Sequence, residues 1–315
     1  MLAPGSLTSD TLGKHQRFQD CNMQPLTIGA FSVQSVYEAT GAYITPADLF
    51  PDAAPEAVAA HFDCMAPTFF DTGSGKLKLV FQSFVLQTPN HNILTDTCVG
   101  EDKERANPNS HMKKWPWMDN LKALGLTPAD IEIVMSTHLH PDHVGWNTQR
   151  RDRRWVPAFP NAKYVFARDV YAHWETDSNA GTEQTGLTFI DSMLPVAAAG
   201  QAVLVEHDHQ IEHGIWIEPT PGHSPGHVIV NVKSNGKRSA FVGDLMHHPI
   251  QFPHPEWSTC LYWDMAMSAA SRTAFVGART DSDTLVLPVH FAGATAGHIV
   301  RSGDSQTFKF LDDNN

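Results

Sequence analysis

Four cysteines in 315 residues, none in CxxC spacing, are too few for a disulfide framework and exclude a cysteine-rich zinc module. Cys21, Cys64, Cys98 and Cys260 lie far apart and read as reduced thiols, most of them small core residues. Basic charge is scarce as well: 22 Lys and Arg face 34 Asp and Glu, a formal net charge of −12 at pH 7. Phosphate-seeking surfaces need clustered cations, and the densest run here, Arg150, Arg151, Arg153 and Arg154, is short and interrupted by Asp152. No nucleic-acid partner is expected. Apolar runs such as Leu285–Val289 and Leu194–Ala199 fall far short of the roughly 20 residues that span a bilayer. Met1–Asp20 lacks the basic-then-apolar order of a secretory signal, so the expectation is no membrane partner and a cytoplasmic location. Internal repeats and low-complexity tracts are also missing, which excludes solenoids and linker-joined arrays. What the chain has in quantity is apolar residues, 42%, ample for a full core, and histidine, 18 against only 5 tyrosines.

Strands and helices are expected to mix through the whole chain, the pattern of sheets with helices packed outside. Leu26–Tyr37 reads as a strand, and Asp48–His61 as an Ala-rich helical patch interrupted by Pro51 and Pro55. Leu77–Leu86 and Asn92–Thr97 read as strands around a Thr88-Pro89-Asn90 turn. Pro116–Leu124 has helical spacing and stops at Gly125. Thr127-Pro128-Ala129-Asp130 offers a cap before the buried-strand run Ile131–Met135. Further on, Tyr164–Phe166 leads into a helix through Trp174, and Ile215–Glu218, His227–Val232, Ala240–Val242 and Thr284–Val289 read as strands. A long helix is expected from Asp264 to about Arg279.

Directly after the strand ending at Ser136 comes Thr137-His138-Leu139-His140-Pro141-Asp142-His143. In extended chain, residues i and i+2 point the same way, so His138 and His140 present two imidazoles to one point. Pro141 reinforces this by keeping His140 out of the helical region. The chain then turns, and Asp142 and His143 face a second point a few Å away. Four donors in six residues at a strand end can hold two ions, and context of this kind gives a motif its weight. Further donors stand at later strand ends: His223 in Thr220-Pro221-Gly222-His223-Ser224-Pro225-Gly226-His227, Asp244 after Phe241-Val242-Gly243, and His290 after Leu287-Pro288-Val289.

Together these residues resemble the metallo-β-lactamase superfamily, in the family's order and over about Leu77 to His290. The resemblance implies an α/β fold, an αβ/βα four-layer sandwich: two mixed β-sheets face to face, helices on both outer faces, and a metal site at one edge between the sheets. It implies that His138, His140 and His223 bind a first metal, that Asp142, His143 and His290 bind a second, and that Asp244 bridges them. Residues 1–25 are then an N-terminal arm and 26–315 a single hydrolase domain. Imidazole and carboxylate donors without thiolate suit two divalent ions, zinc first, although iron, manganese or cobalt are tolerated by the same set. Two such ions roughly 3.5–4 Å apart can share a hydroxide nucleophile, so no serine or cysteine is needed. Asp142 or Asp244 would take part in proton transfer to the leaving group.

Within the superfamily the pattern is most similar to N-acyl homoserine lactonases and methyl parathion hydrolases. The 220–227 loop is very like the lactonase loop, and Phe291–Ile299 is similar to the methyl parathion hydrolase tail. Such lactonases often carry a tyrosine three residues after the bridging aspartate, and here His247 takes that place. It is read as a catalytic candidate that hydrogen-bonds substrate or steadies a ligand. A lactonase acting on a small uncharged or apolar ester or lactone is therefore expected. Alternatives are an organophosphate or aryl ester hydrolase and, in another class, a mononuclear iron persulfide dioxygenase; thioester and β-lactam hydrolysis also stay open. His227 and His298 are read as structural or supporting, and His207, His209 and His213 as a solvated surface cluster. Trp115, Trp117, Trp146, Trp155, Phe252, Trp257, Trp263 and Phe291 are candidates for an apolar pocket wall. The N-terminal arm and the stretch 146–160, read as exposed, are candidate contacts of a homodimer.

Overall fold

The computed structural model describes residues 23–181, 186–261 and 263–311. Seventeen strands are present among them. The first ten are β1 (Leu26–Ile28), β2 (Phe31–Ile44), β3 (Phe70–Asp71), β4 (Lys76–Gln87), β5 (Asn92–Thr95), β6 (Ile133–Met135), β7 (Thr148–Arg151), β8 (Arg154–Pro157), β9 (Lys163–Ala167) and β10 (Ala202–Val205). The rest are β11 (Gln210–Glu212), β12 (Ile215–Pro219), β13 (Val228–Ser234), β14 (Lys237–Phe241), β15 (Thr284–Leu287), β16 (Gly297–Ser302) and β17 (Ser305–Phe310). One mixed sheet runs β1-β2-β4-β5-β6-β9-β10 with β3 against β4, the other runs β11 to β17 in chain order, and β7-β8 is a separate hairpin. This is the expected architecture of two mixed sheets with helices.

Side-chain alternation shows how the second sheet is sandwiched. Val228, Val230 and Val232 of β13, with Phe241, Leu285 and Leu287, join the core shared with the first sheet. Their neighbours Ile229, Ala240, Val242 and Val286 point the other way, into a second cluster with Phe275 and Val276 of the helix Met265–Arg279. A period of two with both faces apolar is what a strand covered on both sides requires. That helix starts where expected: Asp264 caps it by accepting from the Met267 N–H, and Ser268, Arg272, Phe275 and Val276 form its buried stripe. On the first sheet, Trp117 and Leu121 of Trp117–Ala123 and Val170, Tyr171 and Trp174 of Arg168–Ala180 bury the outer face.

Several boundaries differ from expectation. The strand read at 26–37 breaks at Gly29-Ala30 and then continues to Ile44. Gly29 has φ +63°, and a Cβ there would meet the Ser234 carbonyl at 2.1 Å, so this turn presses against the end of β13. The Ala-rich patch is not one helix: Pro46–Leu49 ends inside it, Pro51 lies in a turn, Pro55 starts the helix Pro55–Ala59, and Phe62–Met65 follows just after it. The stretch 146–160 is not exposed throughout: Trp146, Asn147, Thr148, Ala158 and Phe159 are buried, and the β7-β8 tip at 150–154 and Pro160 face solvent. Cys98 is buried, but Cys64 and Cys260 are exposed rather than core, and all three are free. Cys21 and most of the N-terminal arm lie outside the described residues; Met23 is already in the core. No helix among the described residues is long and apolar enough to cross a membrane.

Candidate metal centre

The parallel strands β5 and β6 of one sheet and β14 and β15 of the other all deliver chain to the same edge. After β6 the chain bends at Thr137 and His138, is extended at His140 (φ −68°, ψ 158°), then turns into the short helix Pro141–Val144. Leu139 is fully buried, while His138 and His140 on either side of it offer nitrogens to one donor group. From the second sheet come His223 on the loop after β12, Asp244 just past β14 and His290 past β15. All seven donors named from the sequence meet here, in two groups whose ligand atoms lie within 4.8 Å of one another: His138, His140, His223 and Asp244, and Asp142, His143 and His290.

Asp244 stands between the groups. Its Oδ2 lies 3.1 Å from His223 Nε2 and 3.7 Å from His138 Nε2, while Oδ1 lies 3.0 Å from His143 Nε2 and 2.9 Å from His290 Nε2. Asp142 Oδ2 completes the second group at 3.7 Å from both His143 Nε2 and His290 Nε2. In the first group His223 Nε2 is 3.0 Å from His138 Nε2 and 2.7 Å from His140 Nδ1.

Surrounding hydrogen bonds decide which nitrogens carry lone pairs. His290 Nδ1 donates to the Val80 carbonyl at 2.9 Å, and His143 Nδ1 donates to Asp96 Oδ2 at 3.0 Å. Asp96 also takes the Thr137 N–H and hydroxyl, which leaves the Thr137 oxygen as acceptor for His138 Nδ1 at 3.1 Å. In the neutral rings each Nε2 is thus a lone pair aimed inward. His143 Nε2 and Asp244 Oδ1 are buried and adjacent yet have no hydrogen-bond geometry between them. Lone pairs facing one another at such distances fit a divalent cation, and a nitrogen and oxygen set without thiolate fits zinc-like ions.

Electrostatics follow from the same packing. Burial, then neighbouring imidazoles, pushes His138 well below the usual histidine range, and burial takes His140 to about 4. For His143 burial works downward, but the carboxylates of Asp244, Asp142 and Asp96 outweigh it and hold the ring well above that range. Burial would raise Asp244, yet His143, His290, His247 and His223 keep its carboxyl well below the normal carboxylate value.

The supporting residues were mostly invisible in the sequence. Asp96 sits one residue past β5 with φ +57° and serves both groups. His227, read as structural or supporting, accepts the Asp244 N–H on Nε2 at 3.1 Å and donates Nδ1 to Thr220 Oγ1 at 2.8 Å. Burial holds it neutral, with its pKa down to about 3. Buried Glu38 takes N–H groups from Val99, Gly100 and the Trp146 indole, tying β2 to the loop that carries Asp96. Gln82 Nε2 spans the carbonyls of Val289 and Phe291, each at 3.2 Å, and so grips both sides of His290. The Trp263 N–H donates to the His223 carbonyl at 3.0 Å.

A cavity of about 800 Å³ opens on both groups. Its apolar wall is Tyr43, Ile44, Leu49, Leu79, Phe81, Trp174, Leu261 and Trp263. Of the eight aromatics expected there only Trp263 lines it, while Trp117, Trp146, Phe252, Trp257 and Phe291 are core. His247 also lines the cavity, with Nε2 3.1 Å from Asp244 Oδ2. His298 donates to the Thr284 carbonyl, and His207 faces Asp169 at the surface.

A fold of two stacked mixed sheets with seven such donors at one edge defines a class, and residues 82–287 match the family model of the metallo-beta-lactamase superfamily: the chain belongs to that superfamily. It is 32% identical over 111 residues to the N-acyl homoserine lactonase AttM of Agrobacterium fabrum, an alignment covering 35% of this chain and 39% of that protein. The chain therefore spans about two fifths of the length of that curated relative. Among solved structures it is similar to AidC, a dizinc quorum-quenching lactonase in complex with a product, at TM-score 0.76 and 17% identity over 94% of this chain and 99% of that one. A second is the hydrolase AbOPH of the beta lactamase superfamily, at TM-score 0.78 and 22% identity with the same coverage.

Proposed function

We propose that the chain from residue 26 onward works as one metal-dependent hydrolase domain that opens lactone or ester carbonyls, in the manner of the N-acyl homoserine lactonases. The observation that carries this reading is the cavity, whose apolar wall ends on both donor groups at once. His138, His140 and His223 would hold one divalent ion and Asp142, His143 and His290 another, with Asp244 shared, zinc being the ion the donors suit best. Such a pair supplies Lewis-acid polarisation of a carbonyl oxygen and a water acidic enough to attack near neutral pH.

The chain's own residues then have separable tasks. Asp244, buried among four imidazoles, is held deprotonated and acts as a ligand. Asp142 is the most open acid of the cluster, with 24% of its side chain exposed against 4% for Asp244, and lies on the cavity floor. The Asp142 carboxylate is therefore assigned the transfer of a proton from the attacking water to the leaving oxygen. His247 steadies Asp244 and reaches the space beside the substrate carbonyl. The wall from Tyr43 to Trp263 receives the apolar acyl arm and excludes water from it.

A second reading, hydrolysis of phosphotriesters or aryl esters, is favoured by His247 standing where lactonases often place a tyrosine. The complete trio Asp142, His143 and His290 favours either hydrolase over a mononuclear iron oxygenase. Metal-reconstituted protein is to be assayed on lactone, aryl ester, phosphotriester and β-lactam panels, read as kcat/KM. Long-acyl lactones are expected to lead short hydrophilic ones, and His143→Ala to lose turnover with the fold kept. Equal kcat/KM for apolar and hydrophilic lactones, or a phosphotriester in first place, would sink the lactonase assignment.

A further inference from the structure

His61 precedes the helix Phe62–Met65, and His254 follows the turn Pro249–Gln251. Neither belongs to the two donor groups described above. Their Nε2 atoms lie 3.0 Å apart, with the rings nearly perpendicular at 87°. His254 is fixed from two sides: its ring stacks on Trp257 at 3.8 Å between centroids and 4° between planes, and its Nδ1 faces Glu256 Oε1 at 3.4 Å. A proton on Nδ1, toward the carboxylate, leaves the Nε2 lone pair aimed at His61. A carboxylate behind an imidazole is the arrangement that sets tautomer and basicity in metal-binding histidines.

The same facing contact, Nε2 to Nε2 at 3.0 Å, joins His138 and His223 inside the main cluster. Metal–nitrogen bonds of about 2.0–2.1 Å at a tetrahedral angle set two nitrogens about 3.3–3.4 Å apart, so His61 and His254 need to open by only a few tenths of an ångström. Both are partly exposed, which lets water complete the coordination. We propose that His61 and His254 form a second, peripheral site for a divalent transition-metal ion, with Glu256 steadying His254 from behind.

Such an ion ties together the two segments that wall the cavity. His61 stands on the stretch that follows Leu49, and His254 on the loop that leads to Leu261 and Trp263; these already touch through the Cys260 N–H to the Leu49 carbonyl. Occupancy therefore stiffens the cavity rim without entering it. The test is equilibrium dialysis of the full chain against Zn2+, with metal per chain measured by elemental analysis, on wild type, His61→Ala and His254→Ala. Wild type is expected to take up one equivalent more than either variant, and excess Zn2+ to raise its Tm above theirs. Equal uptake by all three proteins, or the same Tm gain in all three, would show that the pair is a hydrogen bond only and overturn the proposal.

Discussion

Asp96 is a single carboxylate with reach into both donor groups of the candidate metal centre. One oxygen takes His143 Nδ1, and the other contacts fix Thr137, which in turn fixes His138. Asp96→Asn can present an amide N–H to His143 Nδ1, which inverts the tautomer and turns Nε2 from lone pair to donor. The expected result is a loss of metal affinity of about 10–100-fold, measured by chelator competition, with a smaller fall in stability from the weakened contact to Thr137. The seven donors themselves were legible in the sequence because four of them fall within six residues and the rest follow apolar strands. Asp96 was not, since its partners lie 41 and 47 residues away, and neither was Glu38, whose partners Val99 and Trp146 lie 61 and 108 residues away. Nothing in local spacing marks an acid as a second carboxylate behind a histidine.

Elements meet most tightly where the loop after β5 crosses the helix of His143. A Cβ on Gly145 would lie 1.8 Å from the Val99 carbonyl oxygen, and one on Gly100, at φ +82°, would lie 2.6 Å from the Gly145 backbone. Backbone cannot give way as a side chain can, so Gly145→Ala is expected to cost at least about 4 kcal/mol or to prevent folding, read from urea midpoints and soluble yield. A gentler effect belongs to the turn Pro249–Gln251, which His248 caps. His248 is buried, donates Nε2 to the Phe69 carbonyl and accepts the Ile250 N–H on Nδ1. Burial takes its pKa down to about 4 from 6.5. Below pH 6.5 the unfolded chain gains a proton that the folded chain refuses, so stability present above 6.5 drains as pH falls toward 4. His248→Gln, which keeps a donor for Phe69, is expected to flatten that dependence in urea titrations across this range. Elements with two apolar faces or a strong cap were read correctly from sequence, whereas the hairpins β7-β8 and β16-β17 were missed. Their residues are largely polar and exposed, Arg150–Arg154 in one and Ser302–Thr307 in the other, so hydrophobic alternation had little to register.

At the scale of the molecule, no strand before Gln210 among the described residues enters the second sheet. Strands β1 to β6, β9 and β10 complete one sheet by Val205, and β11 to β17 build the other from Gln210 onward. The donors divide the same way: His138, His140, Asp142 and His143 before the crossing, His223, Asp244 and His290 after it. A chain opened at the exposed Glu206–Asp208 link would yield two fragments, each with a whole sheet and an incomplete ligand set. Co-expressed, they are expected to reassemble through the shared core, and divalent metal to tighten the complex because only the joined pieces bind it well. Sedimentation with and without chelator measures this, and an association constant indifferent to chelator would contradict it. On that outcome the candidate metal centre is also a clasp between two separately encodable halves, whose strength can be weighed apart from any reaction.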